Sequence, residues 1–70
     1  MSKEISDFII FCIEYYKEKE NLSGEYVYAL FNEDGVVDYL EKGYDVLHTQ
    51  GKDYIVNDIC EVMAERGVMV

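Results

Sequence analysis

Residues 3 to 20 read KEISDFIIFCIEYYKEKE, and the spacing of their apolar side chains decides the fold class. Ile5, Ile9, Cys12 and Tyr16 recur at i, i+4, i+7 and i+11, flanked by Phe8 and Ile13. That period makes one packed stripe on a helix, whereas a half-buried strand would alternate every second residue. Ser2 stands where an N-cap is wanted, with a hydroxyl able to accept a first-turn N–H.

The helical period continues along the chain. Ser23 is placed to cap a second helix over 24–33, with Leu22 and Val27 at the two positions of a hydrophobic staple and Val27, Leu30 and Phe31 facing inward. Asp34-Gly35 ends it, and a short third helix over 36–43 carries Val36, Val37 and Leu40. Tyr44, Val46 and Leu47 are expected to complete that helix's share of the core, and His48 to Gly51 to make a turn. The last helix, 52–66, turns Ile55, Ile59, Val62 and Met63 inward and stops at Gly67, a natural left-handed cap. Val68-Met69-Val70 is an apolar tail that can pack or fray. There is no proline and no repeat. The expectation is an all-α fold: one domain over 1–70, a compact bundle of about four short helices at roughly 3–20, 24–33, 36–43 and 52–66.

Composition narrows the function. A 70-residue chain leaves so much surface exposed that its core rarely supplies more than about 3–5 kcal/mol, so a partner or a second copy adds stability that matters. Fifteen acidic residues against six basic ones give a formal charge of −9. The basic residues are scattered at Lys3, Lys17, Lys19, Lys42, Lys52 and Arg66, which argues against direct binding of nucleic acid or an anionic membrane. A basic protein, or a protein surface that normally holds nucleic acid, fits the field better. The longest apolar run, Phe8 to Ile13, is far short of the roughly 20 residues that span a bilayer, and no signal-like segment opens the chain. The expected location is the cytoplasm, where Cys12 and Cys60 stay reduced and buried, and where the glycosylation pattern Asn21-Leu22-Ser23 has no meaning.

Chemistry-bearing residues are few. His48, with Asp45 before it and Asp53 and Asp58 after it, can be drawn as a general base, but so small a bundle leaves little room for the roughly 300 Å³ cleft of a small-molecule site. Asp45, His48, Thr49 and Gly51 are better explained as a structural junction, the imidazole holding a backbone carbonyl or a helix end. Two cysteines and one histidine do not make a zinc set, and Asn32-Glu33-Asp34-Gly35 is too short for a calcium loop. No cofactor or metal is expected, and no catalytic residue.

The seven tyrosines say more. Tyr16 and Tyr44 fall on inward faces. A helical wheel puts Tyr54 with Asp58, Glu61 and Glu65, and Phe11 beside Asp7 and Glu18 with Tyr15 one turn on. Aromatics set among acids are either edges covered by a neighbouring helix or contact residues. Phe11, Tyr15, Tyr54, Asp58, Glu61 and Glu65 are therefore the candidate partner surface.

Three segments carry a resemblance: DFIIFCIEYYKEKENLSGEYVYALF at 7–31, GVVDYL at 35–40 and YDVLHTQGKDYIVNDI at 44–59. Through them the chain resembles a family of short bacterial proteins, domain of unknown function 3791, with most of the specificity in the last segment. The resemblance implies a stand-alone helical cytoplasmic protein with no enzymatic residues to carry over. Genes of that family often neighbour those of proteins similar to ADP-ribosyltransferase toxins, which implies an antitoxin or accessory role.

The functional expectation is a non-enzymatic module that binds another protein through its acidic, tyrosine-bearing face. Two alternatives stand beside it. One is an acidic inhibitor that mimics nucleic acid on a host or phage protein, which needs carboxylates along one continuous surface. The other is a small homodimeric scaffold with Phe11, Tyr15 and the apolar tail in its interface.

Overall fold

The structure, a computed structural model, describes residues 2–67. Five helices follow one another: α1 (Lys3–Glu20), α2 (Gly24–Glu33), α3 (Val36–Lys42), α4 (Tyr44–Leu47) and α5 (Lys52–Glu65), with no strand among the described residues. The all-α expectation holds. The apolar tail at 68–70 lies outside the described residues.

Helix ends form where the sequence supplies a partner for the orphan backbone groups. Ser2 Oγ accepts from Ile5 N–H at 3.3 Å and Ser23 Oγ accepts from Tyr26 N–H at 3.1 Å, so both serine caps are real. At the other end of α1, Asn21 turns left-handed (φ 55°) and Leu22 N–H donates to Lys17 O at 3.1 Å, a Schellman-type closure. The α2–α3 turn needs Gly35 at φ 72°, where an L side chain would be strained and would also run into the Arg66 guanidinium. That guanidinium donates to Asp34 O and ties the end of α5 to the same turn. Gly67 is left-handed, as its position past the last helix predicts.

The helices bury their stripes against α1, which touches α2, α3 and α5. Tyr16 sits at the centre: its ring meets Phe31 edge-on at 5.5 Å and its hydroxyl donates to Met63 Sδ at 3.6 Å, joining α1, α2 and α5. Val27, Val36, Leu40 and Ile59 fill the space around it with no measurable exposure. Burying a side chain of that size contributes about 1.5–3 kcal/mol each, so these few positions carry much of the fold. At the far end of α1, Phe8 meets Tyr44 edge-on at 5.4 Å.

One expectation needs correction. The third helix does not run to 43: α3 stops at Lys42, Gly43 keeps a bridge-region conformation (φ −90°, ψ 2°), and the chain makes one more turn as α4. That break re-phases the segment. Leu47 turns into the core, Tyr44 is half-buried, and Val46, expected to point inward, is 65% exposed. The last helix ends at Glu65 with Arg66 as its C-cap, in line with the expected end near 66.

Candidate functional site

The candidate surface residues divide between the two flanks of α5. On the α1 flank, Phe11 and Tyr15 are one turn apart and stack with ring centroids 6.3 Å apart. Lys52 Nζ lies 5.3 Å from the Tyr15 ring centroid and 3.2 Å from Glu18 Oε2, so one lysine bridges α1 and α5 by a cation–π contact and an ion pair. Tyr15, Glu18 and Lys52 line an open cleft of about 430 Å³ together with Lys19, Asp53, Val56 and Asn57, while Phe11 faces the neighbouring cleft beside His48. Val56, which the helical period leaves off the inward face, is buried on its floor.

Tyr54 and Asp58 belong to the other flank. They share a cleft of about 370 Å³ with Tyr39, Lys42, Gly43, Val46 and Leu47. Tyr39 donates its phenol proton to Asp58 Oδ2 at 2.5 Å, and this bond, with some desolvation, pushes the Tyr39 pKa up to about 12. Glu61 and Glu65 are exposed further along α5 and line neither cleft. The wheel correctly turned Phe11 and Tyr54 outward, but a single helix cannot say which neighbour covers each flank.

His48 is exposed, its ring stacked on Tyr44 at 4.3 Å. Nδ1 lies 2.6 Å from Tyr44 O, and since a carbonyl only accepts, Nδ1 carries the proton and donates it. The carboxylates that share its cleft, about 310 Å³, are Glu4 and Asp7 of α1, together with Phe8, Phe11 and Tyr44. Asp45, Asp53 and Asp58 line other surfaces or none. Thr49 Oγ1 donates to Val46 O at 2.7 Å, and Gly51 opens α5 without a side-chain cap. The expectation that the bundle leaves little room for clefts near 300 Å³ is therefore corrected, and each of these clefts is open to solvent.

Cys12 is fully buried, and desolvation pushes its thiol pKa up to about 12, which keeps it protonated. Cys60 is only half-buried, against the expectation of full burial; its Sγ lies 3.9 Å from Glu20 Oε1, and desolvation and that carboxylate raise its pKa. Among the described residues no group of three His, Cys, Asp or Glu side chains is placed to hold a metal. No helix among them is long and apolar enough to cross a membrane.

The carboxylates occur on all five helices and not along one of them. Four are engaged by lysines, in the pairs Lys3–Asp7, Lys17–Glu14, Lys42–Asp38 and Lys52–Glu18, all with N···O distances of 3.0–3.4 Å.

The sequence reading missed one feature. Ile10 of α1 and Tyr28 of α2, 56% and 57% exposed, wall a groove of about 260 Å³ floored by Ile9, Ile13 and Val37 and closed by Ser6 and Asn32. Ile10 falls outside the i, i+4, i+7 stripe of its helix, and that departure was the available signal.

A family model described as "Protein of unknown function (DUF3791)" matches residues 7–66. The chain belongs to that family. The DUF3791 match spans both flanks of α5 and the Tyr16–Phe31–Met63 contacts, so the residues lining the two α5 clefts lie within the matched domain. No curated protein and no solved structure matches this DUF3791 chain.

Proposed function

We propose that the protein is a small acidic protein–protein interaction module of the bacterial cytoplasm, working without catalysis, whose partner is a basic protein. The surface that takes the partner runs over α5, with Phe11 and Tyr15 on one side and Tyr54, Asp58, Glu61 and Glu65 on the other. The observation that supports this most is the exposure of Phe11 and Tyr54, 56% and 54%, beside carboxylates in a chain of charge −9. Leaving such rings in water gives no folding stability, whereas aromatic anchors rimmed by charge are what interfaces use. The role that fits is antitoxin or accessory partner of a toxin-like protein, as the family resemblance implies.

The test is calorimetric titration of the purified protein with the products of adjacent genes, in low and in high salt. A complex that weakens as salt rises supports the proposal, and Tyr54→Ala should cost it at least about 2 kcal/mol of binding. Finding no salt-sensitive complex with any of them counts against it.

A further inference from the structure

The groove walled by Ile10 and Tyr28 has a property that the other clefts lack. Its lining, Ser6, Ile9, Ile10, Ile13, Tyr28, Asn32 and Val37, contains no charged residue, although 30% of the chain is charged. The α1–α5 cleft is lined by Glu18, Lys19, Lys52 and Asp53, the α3–α5 cleft by Lys42 and Asp58, and the His48 cleft by Glu4 and Asp7. We infer that the α1–α2 groove is where a second copy of this chain docks, forming a weak, two-fold symmetric dimer on a surface separate from the one proposed for the basic partner.

Electrostatics selects the occupant. Two copies bring together −9 and −9, so self-association needs a face on which no carboxylate meets its own image across the two-fold axis. This groove is such a face, and its lack of charge gives a basic partner nothing to pair with. Shape points the same way. An isologous contact needs a projection and a hollow on one patch, and here Ile10 projects beside the hollow floored by Ile9, Ile13 and Val37. Size sets the strength. A standard interface takes about 800 Å² from each partner, roughly a fifth of this chain's 4492 Å², and seven residues supply less than that. The dimer is therefore weak, with a Kd on the order of 100 µM.

Salt gives the dimer a signature opposite in sign to that of the partner complex. Screening relieves repulsion between like-charged copies, so dimerisation tightens as ionic strength rises.

Sedimentation equilibrium from about 5 µM to about 500 µM protein, in about 50 mM and about 500 mM NaCl, tests this. The expected result is a monomer–dimer equilibrium that tightens severalfold in high salt. Ile10→Lys should raise Kd by at least about tenfold despite lowering the net charge, because it places two ammonium groups face to face. Gln50→Lys, with the same charge change in the exposed α4–α5 turn, should not weaken the dimer and should tighten it slightly by lowering the repulsion between copies. Should far-UV circular dichroism show Ile10→Lys unfolded, Tyr28→Ser at the opposite wall takes its place and should also weaken the dimer. A monomer at every concentration and salt overturns the inference. So does a dimer indifferent to the folded wall variants, or one that loosens in salt. A groove that instead takes a different protein, seen as loss of that complex in Ile10→Lys, overturns it as well.

Discussion

The clefts on the two sides of α1 are built from the same helix and behave as opposites. Toward α5 the wall is aromatic and ionic: Tyr15 under Lys52, Glu18 paired with that lysine, Asp53 and Lys19 at the rim. Toward α2 it is aliphatic and uncharged, with Ile10, Ile13 and Val37 facing Tyr28. Ile13 and Tyr15 are two residues apart in sequence, yet a step of about 200° around the helix sends them to different clefts. One strip of sequence thus makes two surfaces whose association should respond to salt with opposite signs.

Removing what the two sides share should have the largest effect. Phe31→Ala takes away the ring against which Tyr16 leans, and a buried Phe→Ala change costs about 3–5 kcal/mol, comparable with all the stability a core of this size supplies. The variant should be largely unfolded by circular dichroism, and both clefts should go together. A cooperatively folded variant would mean that α1 and α5 hold without α2.

A smaller change should touch one side of α5 alone. Tyr39→Phe removes the 2.5 Å bond to Asp58 and should lower the free energy of urea unfolding by about 1–2 kcal/mol, leaving the α1–α2 groove intact. Alkaline pH should act on the same bond and on the core. Cys12, Tyr16 and Tyr39 each become anionic on losing a proton, and each has a folded-state pKa of about 12 against ordinary values of 9.0 for the thiol and 10.0 for the phenols. Desolvation is the main cause for Cys12 and Tyr16, and the Asp58 bond for Tyr39. A raised pKa of this kind contributes stability that is complete below the ordinary value and disappears as pH rises through the folded one. The urea midpoint should therefore be flat with respect to these groups below pH 9.0 and fall toward about 12, less steeply in Tyr39→Phe. The smallest effect is expected at Lys52→Ala. It opens an exposed ion pair and a cation–π contact, so the loss should be about 1 kcal/mol or less and should shrink in salt.

How legible each side was follows from what a single chain can encode locally. The long helices could be read because their stripes and caps are local: Ser2, Ser23 and the 3.6-residue period need no tertiary information. The α3–α4 corner was less legible. Gly43 and Asp45 weaken the period there, and one backbone break at Gly43 decides that Leu47 is buried and Val46 is not. Phe11 and Tyr54 were legible as outward-facing and Tyr26 and Tyr28 were not; which helix stands beside each is set by how α2 and α5 pack on α1, and that depends on the whole core. The neutral groove was least legible of all, since its walls come from α1 and α2 and its floor partly from α3.

Amide NMR spectra along a dilution series in high salt would test most directly the claim that the two sides of α1 are separate surfaces. As concentration rises, the resonances of Ile10, Ile13, Tyr28 and Val37 should move together, while those of Phe11, Tyr15 and Tyr54 stay fixed until a basic partner is added. Shifts at Phe11 and Tyr15 on self-association, or none at the groove, would contradict it.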